Sequence, residues 1–64
     1  MMYEIQNVIL FNDNGITLLD WNARKDEEFH NWEIIYELEN EIEENEIGIS
    51  QIDYIVTLIE HHKC

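Results

Sequence analysis

Two apolar, β-rich runs separated by Asn12-Asp13-Asn14-Gly15 constrain this chain more than any other feature. Asn-Gly between apolar runs is the strongest short-range hairpin signal, because both central residues of such a turn need positive φ. Tyr3 to Phe11 is therefore predicted as one strand and Ile16 to Trp21 as the strand that returns. With Asn14 and Gly15 as the two loop residues, Leu10 faces Leu19 and Val8 faces Trp21. On the opposite face Phe11 lies across from Leu18, with Ile9 one step further along. Both faces of the hairpin are apolar. A helix of the same chain can cover one of them; the other needs something else.

From about Lys25 to Glu46 there is no Gly or Pro and much Glu, which predicts a helix. Asp26, Glu27 and Glu28 fall in its first turn, where the helix dipole favours negative charge. At 100° per residue, Asn31, Ile34, Ile35, Leu38 and Ile42 make one stripe, the expected core face. Phe29, Trp32 and Tyr36 make a second stripe, roughly 120–140° around the helix, flanked by Glu33 and Glu37. A surface helix needs only the first. The second is surplus, and it is either oligomer packing or a partner-binding hot spot.

Gly48 is the predicted helix stop, with Ser50-Gln51 continuing the turn. Ile52 to Ile59 reads two ways. Ile52, Ile55, Val56 and Ile59 fit a helix with Ser50 as its N-cap, whereas Tyr54-Ile55-Val56-Thr57-Leu58-Ile59 is dense in strand formers. A third strand is the favoured reading. The expected fold is α+β: a three-stranded antiparallel sheet with one long acidic helix, in the order β-β-α-β, as a single domain over residues 1–64.

Charge then narrows the partners. Fifteen Asp and Glu face three bases, Arg24, Lys25 and Lys63, for a formal net charge of −12. Hydrophobic residues at 45%, seven of them aromatic, argue against disorder. Such a chain does not bind phosphates or an anionic membrane directly, so its expected partner is a basic surface rather than nucleic acid or membrane. Ten of the acids lie between Asp26 and Glu46 with no Lys or Arg among them. A helix of that length would carry one negative charge per roughly 3 Å, against about 3.4 Å between phosphates on one DNA strand. The bland reading is a solvated helix face, but such faces normally carry Lys at i+4 to relieve repulsion.

A small domain of this length needs a staple. Cys64 is the only cysteine and cannot close an internal disulfide, so a second subunit is the expected staple. No apolar run approaches the roughly 20 residues of a membrane span, and no basic leader opens the sequence, so a cytoplasmic location is expected. Catalysis finds no support: there is no Gly-rich phosphate loop and no nucleophile with an orienting partner. His61-His62-Lys63-Cys64 is read as a frayed terminus rather than a metal site, and His30 as an exposed helix residue. No cofactor or metal is expected.

The motif Trp32-Glu33-Ile34-Ile35-Tyr36 resembles the aromatic-Glu-aliphatic-aliphatic-Tyr helix motif of the very small uracil-DNA glycosylase inhibitors of Bacillus phages. Those are acidic dimers of a three-stranded sheet and one helix with an acid-rich hairpin turn, to which Asn12-Asp13-Asn14-Gly15 is loosely similar. The resemblance covers element order across nearly the whole chain and side-chain identity at that motif. It implies a DNA mimic that occupies the DNA-binding cleft of host uracil-DNA glycosylase and protects uracil-containing phage DNA from base excision. Trp32 and Tyr36 would wall a groove at a homodimer seam, capturing the apolar residue that the enzyme pushes into DNA. Glu33 would stand in for a phosphate, with Phe29, Glu37 and Glu28 beside it. Trp32 departs from the family's usual Phe, and the predicted helix outruns the family's short one. The alternative is a mimic aimed at a nucleoid protein, a restriction enzyme or a CRISPR effector; a purely structural assembly module is the reading from another class.

Overall fold

The computed structural model describes residues 2–26 and 30–63. Its elements run β1 (Met2–Phe11), β2 (Thr17–Lys25), α1 (Asn31–Glu44), a 3-10 turn (Ile49–Gln51) and β3 (Tyr54–Lys63). The strands form one antiparallel sheet in the order β2-β1-β3. The expected β-β-α-β fold is present, and the last element is a strand. It begins two residues later than expected and continues through His61, His62 and Lys63, which pair with Glu4, Tyr3 and Met2 instead of fraying.

Leu10 faces Leu19 and Val8 faces Trp21, as the hairpin reading requires, but the loop differs. Gly15 N–H donates to the Asn12 carbonyl at 3.0 Å, and Asn12 N–H to the Ile16 carbonyl at 3.1 Å. That is a three-residue loop, with Gly15 at φ +75 supplying the left-handed position. Asn12 stiffens it by accepting from the amides of Asn14 and Ile16 through its side chain. The longer loop would slip the strands by one. A bulge beside Leu18 restores the register, so Phe11 lies opposite Thr17 rather than Leu18.

Strand β2 also outruns its expected end at Trp21, because β1 offers a ladder that long. Glu4 pairs with Lys25 and Gln6 with Ala23, and Arg24 lies 4.0 Å over the Tyr3 ring. Pairing overrides the helical preference of residues 23–25. The helix is accordingly 14 residues, not the expected run from Lys25 to Glu46. Asp26 precedes it, Glu46 follows it, and its first-turn acid is Glu33. His30 is exposed but extended, at the N-cap rather than within the helix.

The helix ends before Gly48. Ile47 N–H reaches the Ile42 carbonyl and Glu46 N–H the Glu43 carbonyl, each at 3.0 Å, which is a Schellman closure. Its left-handed residue is Glu46, at φ 57. Gly48 instead opens the 3-10 turn, and Asp53 joins that segment to the hairpin by accepting from the Asp13 amide at 2.7 Å.

The core is thin: Val8, Leu10, Leu19, Ala23 and Ile34 are buried, and Leu10 alone is fully so. Leu18, Trp21, Leu38, Ile42, Ile47 and Ile52 close around it half-buried. Of the expected core stripe, Ile34, Leu38 and Ile42 face inward; Asn31 and Ile35 do not. Ile35 lies beyond the edge of the face that β2 can cover, because α1 packs over β2 alone at backbone distance.

Two stability outcomes follow from these positions. Leu10→Ala should cost about 2–5 kcal/mol and leave so small a domain largely unfolded by circular dichroism. Glu46→Gly should stabilise the fold by up to about 1 kcal/mol, read as a raised denaturant midpoint, since glycine removes the left-handed penalty. An unchanged or lowered midpoint for Glu46→Gly would remove the strain assigned to that cap.

Candidate partner-binding face

The helix carries six carboxylates in 14 residues: Glu33, Glu37, Glu39, Glu41, Glu43 and Glu44. At 1.5 Å per residue this is one negative charge per roughly 3.5 Å, so the phosphate-like spacing survives the shortening of the helix. Among the described residues, neither recorded ion pair involves this helix; they join His61 to Glu4 at 3.9 Å and His62 to Glu60 at 3.3 Å. No basic residue occupies its last turn, where one would oppose the dipole.

The surplus stripe is outside the fold. Trp32 is 65% exposed and Tyr36 62%, and Glu37 is exposed beside them. Glu33 is half-buried. Ile35 joins the two aromatics at 57% exposure, so the apolar strip runs Trp32, Ile35, Tyr36. The His30 ring lies nearly parallel to Trp32, centroids 6.4 Å apart. Phe29 and Glu28 were expected in the same group and lie outside the described residues, as do Glu27 and Cys64.

Periodicity did not indicate a second feature. Past the C-terminal half of α1, Ile42, Ile47 and Ile49 line a groove of about 500 Å³ edged by Glu39 and Glu43. Ile49 is 82% exposed there. The signal was the isoleucine pair flanking Gly48, which a helix-stop reading treats only as punctuation. Apolar floor and acidic rim together suit an apolar side chain flanked by basic ones.

Across the other face of the sheet, Arg24, Tyr3 and His62 form a row, with the Tyr3 and His62 rings stacked at 5.1 Å. Among the described residues, no group of three or more His, Cys, Asp or Glu is placed to hold a metal ion. None of the helices there is long and apolar enough to cross a membrane.

Comparison with family models, curated proteins and solved structures finds no match to this chain. The likeness to the phage inhibitors therefore stands on the residues of the helix motif and on the element order.

Because Trp32 and Tyr36 contribute little to the fold, Trp32→Ala and Tyr36→Ala should each shift unfolding free energy by no more than about 0.5 kcal/mol. Chemical denaturation of the two variants measures this. A loss several times larger for either would place that side chain in folding rather than in recognition.

Proposed function

We propose that this chain is a homodimeric, non-enzymatic inhibitor that mimics DNA and occupies the DNA-binding cleft of uracil-DNA glycosylase. It would act in the host-cell cytoplasm, shielding uracil-containing phage DNA from base excision. The observation that carries the reading is the pairing, on α1, of an exposed Trp32-Ile35-Tyr36 strip with six carboxylates that, among the described residues, form no ion pair with Lys or Arg.

Each part has a task. The carboxylates, spaced like phosphates, receive the hydrogen-bond donors with which the enzyme grips a DNA strand. Glu33 and Glu37, next to the aromatics, are the ones assigned to that contact. Trp32 and Tyr36 hold the apolar residue that the enzyme drives into the base stack, a contact DNA itself makes only at the cost of unstacking. The mimic offers the slot already open, which is how it outcompetes DNA. The motif names the glycosylase; the charge spacing by itself suits any protein that grips a phosphate strand, so a mimic directed at another host DNA-binding protein is the second reading.

A uracil-release assay tests the target. Micromolar protein should abolish activity, and raising salt from 50 to 200 mM should weaken the block, because charge pairing dominates. No block by folded protein would remove the glycosylase and leave the second reading, for which capture of basic proteins from a bacterial lysate is the assay. Tyr36→Ala and Glu33→Ala should each weaken inhibition at least ~10-fold, about 1.4 kcal/mol, without unfolding the domain. Full inhibition by both variants would take the site off this helix.

A further inference from the structure

Hydrogen bonds on both walls hold open the groove at the C-terminal end of α1. Ile47 N–H donates to the Ile42 carbonyl at 3.0 Å and fixes those two half-buried residues of the floor against each other. On the far wall Ile49 begins the 3-10 turn, where Gln51 N–H reaches the Gly48 carbonyl at 2.9 Å and Ile52 N–H the Ile49 carbonyl at 3.1 Å. The Gln51 side chain returns to accept from the Gly48 amide at 3.0 Å. Ile49 is thereby committed to its place at 82% exposure, the highest among the large apolar side chains of the described residues. An occupant meets a shape already formed, and little is lost in ordering it.

The charge around this floor has one sign. Glu39 and Glu43 stand exposed on the rim, and among the described residues neither ion pair engages them. The groove also lies at the C-terminal end of the helix, the negative pole of its dipole, and the last turn carries no basic residue to oppose it. A neutral apolar side chain gains only the floor, and a bare cation only the rim. A large apolar side chain bracketed by Lys or Arg gains both, and the methylene stems of the bases extend the apolar contact. The volume of about 500 Å³ gives room for a phenylalanine with those stems beside it.

Groove and aromatic strip also lie along one flank of the helix. At 100° per residue, Glu39 and Glu43 fall within about 20° of Trp32, while Ile35 and Ile42 lie about 60° and 80° to the same side. The rise from Trp32 to Ile42 is about 15 Å. An interface of about 800 Å² per partner is roughly 30 Å across, so one partner surface reaches both features.

We propose that this groove is a second anchor for the basic partner: it receives a large apolar side chain, of the phenylalanine class, that the partner carries between Lys or Arg residues. The anchor is separate from the contact assigned to Trp32 and Tyr36. It deepens the proposed function and rests on the basic partner named there, not on the identity of the glycosylase. Its effect is on register. Evenly spaced carboxylates accept a basic surface at several positions along the rod, whereas an apolar anchor at each end admits one.

Titration of ¹⁵N-labelled protein with the peptide acetyl-Lys-Phe-Lys-amide, followed amide by amide, tests the groove directly. The amides of Glu43, Ile47, Gly48 and Ile49 should shift saturably. The peptides acetyl-Lys-Gly-Lys-amide and acetyl-Glu-Phe-Glu-amide should shift them at least ~5-fold less, since each lacks one half of the match. Ile49→Ser should remove the response and leave the denaturation midpoint unchanged, because Ile49 is exposed. Glu39→Gln combined with Glu43→Gln is the second variant, and it should weaken peptide binding ~5-fold at low salt. No saturable response, equal shifts from the glycine peptide, a response centred on Trp32 and Tyr36, or one that survives Ile49→Ser would each overturn the groove.

Uracil release separates the anchor from the target. Ile49→Ser should need ~5-fold more protein for half inhibition. Undiminished inhibition by this variant, beside an active unaltered protein, overturns the second anchor alone. An unaltered protein that seats the peptide at Ile49 and does not inhibit overturns only the glycosylase target.

Discussion

One helix cannot cover three strands, and the rest of this structure depends on that shortfall. A helix is about 10 Å across and neighbouring strands are about 4.8 Å apart, so α1 shelters about two of them. It packs over β2, and together they bury Leu19 and Leu10, the latter completely. On the same face and in the same ladder, Ile55 next to Leu10 is 64% exposed. The difference is not in residue type but in position under the helix. Strand β1 takes the central place, bonded on both sides, and so supplies the two most deeply buried side chains, Leu10 and Val8.

The hairpin shows how much of this was legible in the residues. Pairing Leu10 with Leu19 and Val8 with Trp21 follows from turn chemistry plus alternation, and both pairs are present. The loop is one residue longer than Asn14-Gly15 alone suggests, and the bulge beside Leu18 cancels the slip. The apolar pattern governs the body of the ladder, and a local irregularity absorbs the turn's preference. The helix start was not legible, because Asn22 to Lys25 have no strand signal of their own. Their state is decided by the free ladder of Glu4 to Asn7, which lies far off in sequence. Helix propensity also gave no warning of the stop, since Glu46 occupies a conformation normally left to glycine while Gly48 does not need one.

On α1, the outward placement of Trp32 and Tyr36 was legible from their angle around the helix, whereas that of Ile35 was not. Helical angle alone puts Ile35 at the margin of the core stripe. Only the width of the sheet beneath the helix decides whether a marginal residue is covered. The groove at Ile42, Ile47 and Ile49 has the same origin, since it forms where the chain leaves the helix and crosses toward an uncovered strand.

Of the apolar surfaces left over, the helix strip and strand β3 differ most in charge. The helix strip of Trp32, Ile35 and Tyr36 is bordered by carboxylates, so bringing two copies together there would set like charges against each other with no base on either helix to relieve them. Strand β3 from Tyr54 to Ile59 has no charge and repels nothing. The acids therefore act against self-association through the helix.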